Sequence, residues 1–166
     1  MSAMPVAFAL RRCLVGLFAL TLTACAATPA VPTPAISPTP TAPPMPALRA
    51  DYVARGKKLY AQHCSSCHGA NLQGQPNWKK PLADGKYPAP PHDDTGHTWH
   101  HPDSLLIDII LNGGNGTNGA IPSNMSSFKH VLNNDDAQAI LEFIKSRWSA
   151  ESRAYQWQRT SEVPTP

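Results

Sequence analysis

Two cysteines three positions apart, with a histidine directly behind them, are the residues of this 166-residue chain best placed to do chemistry: Cys64-Ser65-Ser66-Cys67-His68. At that spacing each thiol can form a thioether to one of the two vinyl groups of a haem. The imidazole that follows then lies under the iron and supplies a nitrogen ligand. With haem held there, a chain so equipped is expected to move electrons. Two other readings compete for the same residues, because a bare C-x-x-C is also half of a structural zinc site or a dithiol redox pair. Zinc asks for two more Cys or His ligands in a paired spacing, and the only other cysteines, Cys13 and Cys25, lie in an apolar N-terminal stretch. A thioredoxin-like pair asks for βαβ surroundings, whereas the flanks here have helical spacing.

Low-spin iron in an electron carrier takes a second axial ligand. Methionine sulfur favours ferrous iron and raises the potential, and histidine lowers it. Met1, Met4 and Met45 lie in the N-terminal stretches, so Met125 is the only methionine of the predicted domain. His92, His97, His100, His101 and His130 are its rivals. The run from His92 to His101 also contains Asp93 and Asp94, a donor set able to take copper or zinc. Alternatively the run covers a cofactor edge and offers donors to haem propionates, with Trp99 giving its indole N–H. The second ring nitrogen of His68 needs an acceptor of its own, usually a backbone carbonyl.

Three helices are expected to position these groups. Residues 51–62 show helical spacing at Val53, Gly56, Leu59/Tyr60 and His63, with Asp51 as cap, and lead into the cysteine motif. Gly56 costs about 1 kcal/mol against alanine within a helix, which points to close contact with another helix. Residues 102–111 form the second. Pro102 suits its first position and Asp103 its positive end; Leu105, Leu106, Ile109 and Ile110 face inward, and Gly113 ends it. Residues 134–153 form the third, capped by Asn133, with Asp135 and Asp136 in the first turn and a stripe of Ala137, Ile140, Leu141, Ile144 and Trp148. No strand pattern is present. Long loops at 69–101 and 112–133, rich in Gly, Pro and Asn, are expected to wrap something.

Arg55-Gly56-Lys57-Lys58-Leu59-Tyr60 followed by Cys64-Ser65-Ser66-Cys67-His68-Gly69 resembles the opening of a class I c-type cytochrome. Leu132-Asn133-Asn134-Asp135-Asp136 and Ile140-Leu141-Glu142-Phe143-Ile144 resemble that family's closing helix. The resemblance covers roughly residues 50–148. It implies an all-α cytochrome c fold, with three or more helices wrapped around one covalent haem c. Cys64 and Cys67 would attach the haem, His68 and Met125 would ligate its iron, and redox proteins would be the electron donor and acceptor. It also implies that the first and last helices cross with Gly56 near Phe143. Ile121-Pro122-Ser123-Asn124-Met125-Ser126-Ser127-Phe128 resembles the family's methionine loop, with Ser126 where proline usually follows the methionine. The family's proline segment that holds the haem histidine is matched by Pro90, with Pro91 or Pro81 as alternatives. The Gly96-His97-Thr98-Trp99-His100-His101-Pro102-Asp103 run resembles a subset of single-haem bacterial cytochromes.

The ends of the chain say where such a protein would work. Arg11 and Arg12, then an uncharged apolar run at 14–23, read as an export signal. The run is too short to span a bilayer comfortably, which takes about 20 residues. Leu22-Thr23-Ala24-Cys25 resembles the lipobox of bacterial lipoproteins, so residues 1–24 are expected to leave as a lipoprotein signal peptide and Cys25 to carry lipid. Ordinary cleavage near Ala24 or Ala27 is the alternative. With Cys13 in the leader, Cys25 lipidated, and Cys64 and Cys67 on haem, no cysteine remains for a disulfide. Residues 25–48 are a lipid-anchor cysteine and Pro-rich tether, whose proline-rich stretch from Thr28 to Pro46 is able to reach about 60 Å as polyproline II. Residues 49–157 are expected to form the cytochrome domain, and 158–166 a flexible tail. The chain carries 14 basic and 11 acidic residues, and loss of Arg11 and Arg12 brings it close to neutral. That balance gives no nucleic-acid footprint. The expectation is an exported, membrane-anchored, periplasm-facing electron carrier and not an enzyme. The alternatives are a haem-based sensor with a displaceable Met125, or a copper-binding accessory protein using the histidine run.

Overall fold

The structure is a computed structural model that describes residues 43–114 and 122–163. All of them belong to the unit Pro38–Pro166. The export signal, the lipid-bearing Cys25, the tether up to residue 42, Ile121 of the methionine loop and the chain end from Pro164 lie outside the described residues. The helices are α1 Ala50–His63, α2 Ser65–His68, α3 Asp103–Asn112, α4 Asn134–Lys145 and α5 Ala150–Ser161, with a 3-10 turn at Thr98–His100. Among the described residues the only strand-like pairing is an isolated bridge between Tyr87 and Ser123. The all-α expectation therefore holds. No described helix is long and apolar enough to cross a membrane.

The central element is the crossing of α1 and α4. Arg49, rather than Asp51, occupies the N-cap position of α1, without a side-chain cap bond. Its backbone N–H and its Nε donate to the Glu142 carboxylate at 2.7 and 3.0 Å, which fixes the start of α1 on α4. At the other end of α4, Tyr52 and Arg55 bind Asp135, and Arg55 also binds Asp136. Asn133 and Asp136 form a reciprocal capping box there, so the predicted cap is present. Gly56 sits where the backbones touch. A Cβ on it would lie 1.9 Å from the Ala139 carbonyl oxygen. The glycine contact is thus the Ala139 backbone, not Phe143. Phe143 lies one turn further along and packs instead on the Tyr60 ring, centroids 5.3 Å apart. Gly56→Ala forces the helices apart at a backbone contact that cannot yield, and is expected to destabilise the haem-loaded protein by about 3 kcal/mol. A chemical denaturation midpoint equal to wild type would contradict the contact.

The predicted third helix, 134–153, is two helices. After Lys145 the chain turns, because Ser149 donates its N–H to the Asp94 carboxylate at 2.8 Å and its side chain caps α5 by accepting from Ser152. A serine able to cap a new helix, and an acid brought from 55 residues away, end a run that apolar spacing alone would continue. Helix α5 then takes in Gln158 to Ser161, where the sequence was expected to fray. Gln156 is buried and donates to the His101 carbonyl and to Asp103, while Thr160 accepts from the Asp103 N–H at 3.1 Å. These bonds hold α5 on the 3-10 turn and the start of α3. The Trp157 indole donates to the Pro43 carbonyl at 2.6 Å, so the end of the tether is held by α5 as well. The buried core is Tyr60, Leu72, Leu106, Ile110, Leu132, Ala137, Ile140, Leu141, Phe143, Ile144 and Trp148, with Trp99 and Phe128 packed against it.

Candidate haem site

The last turn of α1 delivers the cysteine motif. Cys64 closes α1 by donating its N–H to the Tyr60 carbonyl, and α2 begins at once, with His68 N–H on the Cys64 carbonyl at 2.9 Å. This single turn buries Cys64 and His68 and leaves Cys67 exposed. His68 Nδ1 lies 2.8 Å from the Pro90 carbonyl oxygen. As donor to that oxygen, Nδ1 leaves Nε2 free to bind a metal. Pro90 is therefore the acceptor among the three prolines considered; the Pro91 carbonyl takes the Thr98 hydroxyl instead. The strap carrying Pro90 is fixed from behind. Gln75 and Ala89 exchange two hydrogen bonds of 2.9 Å, His92 N–H donates to the Leu72 carbonyl, and Gly74 approaches so closely that a Cβ would lie 2.4 Å from the Pro91 nitrogen. Gly74 has φ +67°, which favours glycine.

The His92 ring stacks on the His68 ring with centroids 3.8 Å apart and planes 19° from parallel. As sequence, His92 is a rival ligand and the start of the histidine run, and neither pattern predicts this contact; its one signal is a histidine directly after Pro90-Pro91. Trp148 fixes it by donating to the His92 carbonyl at 2.7 Å. Burial lowers the pKa of both imidazoles, against the Pro90 hydrogen bond in the case of His68. His68 is thus held in the neutral form that ligates metals.

The electrostatics of Cys64 argue against dithiol chemistry. Burial, with the neighbouring Cys67, pushes its thiol up to about 12, whereas reactive C-x-x-C thiols sit well below 8.5. Nor do the described residues offer a ligand set for the zinc and copper readings. Among the described residues, no three His, Cys, Asp or Glu side chains converge to hold a metal ion. Two thioethers to haem vinyls need neither a low thiol pKa nor further protein ligands.

Met125 is half-buried in the loop between α3 and α4. The expected proline after it is absent, yet the loop is tied down by other means. Phe128 N–H, Lys129 N–H and the Ser127 hydroxyl all donate to the Leu111 carbonyl at the end of α3. Gly114 N–H donates to the Met125 carbonyl, and Lys86 reaches Asn124 at 2.9 Å. Phe128 meets His63 edge-on at 6.0 Å, which brings this loop to the end of α1 where the cysteine motif begins. His100 and His130, two of the rival ligands, are exposed.

Three buried nitrogens also point to a group the protein does not itself supply. Nδ1 of His92, Nδ1 of His97 and Nε1 of Trp99 have no hydrogen-bond partner. Each buried polar atom without a partner costs about 1–3 kcal/mol. Free Cys64 and Cys67, a His68 oriented through Nδ1, and these unmatched nitrogens together fit a covalent haem. The sequence matches the model of the cytochrome c family over residues 53–148, more than half of the chain. A search of curated proteins returned no match.

Proposed function

Because this chain belongs to the cytochrome c family, whose members bind haem c covalently and transfer electrons, we propose that it is a class I carrier with a single haem, tethered to a bacterial membrane. When bound, the haem supplies a one-electron iron couple. Cys64 and Cys67 would hold it covalently, and His68, through Nε2, and Met125, through its sulfur, would ligate the iron. The hydrogen bond from His68 Nδ1 to the Pro90 carbonyl carries this reading, because it sets the tautomer and orientation an axial ligand needs.

With both His68 and Met125 as ligands the iron would offer no position to a substrate, so the proposed role is electron transfer between redox proteins and not enzymatic catalysis. The same feature disfavours the sensor reading. In this reading lipid on Cys25 and the Pro-rich segment would tether the domain on the periplasmic side, free to meet its donor and acceptor within the reach of the tether. Near-neutral charge after loss of the leader suits a partner that is not nucleic acid.

Two measurements test the proposal. Reduced protein at neutral pH is expected to bind carbon monoxide slowly or not at all, and rapid stoichiometric binding would move the assignment to a ligand sensor. Wild-type protein is expected to partition with membranes, because a lipoprotein carries the two or more acyl chains that stable anchoring needs. Cys25→Ser should release a soluble cytochrome or stall as the uncleaved precursor. An intact mass showing an unmodified mature N-terminus would overturn the anchor.

A further inference from the structure

Two contacts fix the His68 imidazole. The Pro90 carbonyl takes its Nδ1 at 2.8 Å, and the His92 ring lies flat on its face, centroids 3.8 Å apart and planes 19° from parallel. Aromatic rings usually pair at about 4.5–7 Å, so this stack is tight. One hydrogen bond tolerates a range of ring rotations, because the second side-chain torsion of histidine is broad. A second ring pressed on the face narrows that range.

His92 is itself locked by the polypeptide. Its N–H donates to the Leu72 carbonyl at 2.8 Å, and the Trp148 indole donates to its carbonyl at 2.7 Å. Tyr60 meets its ring edge-on at 5.8 Å. Leu72 holds its carbonyl in place from φ +64°, a left-handed conformation that costs a residue with a side chain more than it costs glycine. The imidazole carries a cost as well, since its Nδ1 is buried with no partner. An aliphatic side chain would avoid that cost and would offer no flat face. The fold thus accepts backbone strain and an unmatched nitrogen around a ring whose stacked partner is His68.

We propose that His92 is a positioning residue for the iron ligand: lying flat on His68, it fixes the plane of the imidazole, so that the ligand keeps one orientation in both oxidation states. The proposal rests on the haem reading above and deepens it. Burial lowers the pKa of both imidazoles, so two neutral rings stack without charge repulsion. His92 would act through His68, as residues that orient a metal-bound histidine do, and Trp148 and Tyr60 would act through His92. The core where α1 crosses α4 is thereby connected to the ligand.

The plane of an axial imidazole sets how the iron d orbitals split, and with that the g values of low-spin ferric iron. A ring free to turn gives a spread of orientations and a broad signal, whereas a ring held in one plane gives a narrow one.

The test uses the haem-loaded full chain, with electron paramagnetic resonance of the oxidised protein and circular dichroism as the measure of fold. Wild type is expected to give one narrow low-spin signal. His92→Leu removes the flat face, so it should broaden the signal and displace its g values. The sulfur-to-iron charge-transfer band should persist, because the ligand set is unchanged. His92→Phe keeps a ring on His68, and the half-buried position leaves an open edge for the larger phenyl, so the narrow signal should return. Trp148→Phe removes the bond to the His92 carbonyl and should broaden the signal, with no further effect when combined with His92→Leu. Wild-type g values and line width in His92→Leu overturn the proposal. So does a His92→Phe signal as broad as that of His92→Leu, or a Trp148→Phe effect that adds in full to that of His92→Leu. Loss of the charge-transfer band from both His92 variants overturns it too, because the residue would then govern ligation itself. Should His92→Phe not fold, the Trp148→Phe comparison decides alone. Absence of the haem absorption bands from the wild type would instead refute the haem reading, so the two failures are distinguishable.

Discussion

Cys64→Ala combined with Cys67→Ala is expected to abolish covalent haem and with it the folded domain. Neither thioether can form, so after acid-acetone extraction and denaturing electrophoresis the variant band should carry no haem stain, while wild type stays coloured. The effect on the fold follows from the burial pattern. Cys64 is in the core cluster beside Tyr60 and Leu72, and the motif turn places His68 against His92 and the Pro90 strap. A domain with no disulfide among its described residues, and with three unmatched nitrogens to satisfy, depends on the covalent group to staple its loops. Circular dichroism of the variant should therefore show a large loss of helix. The single variants are expected to retain one thioether each and intermediate stability. A colourless wild-type band, made in cells competent for haem attachment, would refute the assignment, as would haem stain retained by the double variant.

Met125→His is expected to lower the reduction potential by a few hundred millivolts, a fraction of the roughly 0.8 V range that axial ligands set. Thioether sulfur stabilises ferrous iron relative to imidazole, so its replacement favours the oxidised state. Met125→Ala should remove the weak sulfur-to-iron charge-transfer band of the oxidised protein and open the iron to carbon monoxide. Since the loop is held by the bonds of Phe128, Lys129 and Ser127 to the Leu111 carbonyl, the substitution should change ligation without releasing the loop. If Met125→Ala leaves spectrum and potential as they were, the sixth ligand lies elsewhere, and the partly buried His97 and His101 are the next to test.

The chemistry of this protein was legible in the order of its residues because covalent haem attachment is a local matter. Two thiols and an imidazole must lie within one helical turn, and Cys64-Ser65-Ser66-Cys67-His68 states that directly. Periodicity likewise located α1, α3 and the start of α4, and Asn133 with Asp136 identified a cap, since each depends on neighbours three or four positions apart. Pro90 as acceptor for His68 came from the family resemblance rather than from spacing.

What the tertiary structure decided were encounters between residues far apart in the chain, which no periodicity encodes. Gly56 meets the Ala139 backbone because two helices cross at a set angle, and the same crossing puts Phe143 on Tyr60. The apolar stripe gave no reason for a helix to stop at Lys145. Asp94 arriving from the histidine loop to take the Ser149 N–H ended it, and freed α5 to fold back over that loop. His92 read alone is a donor with several uses; only the fold lays it flat on His68 and buries its Nδ1, with His97 Nδ1 and Trp99 Nε1, without a hydrogen-bond partner. Local spacing therefore fixes which group is bound, while burial and long-range packing decide the environment in which it must exchange its electron.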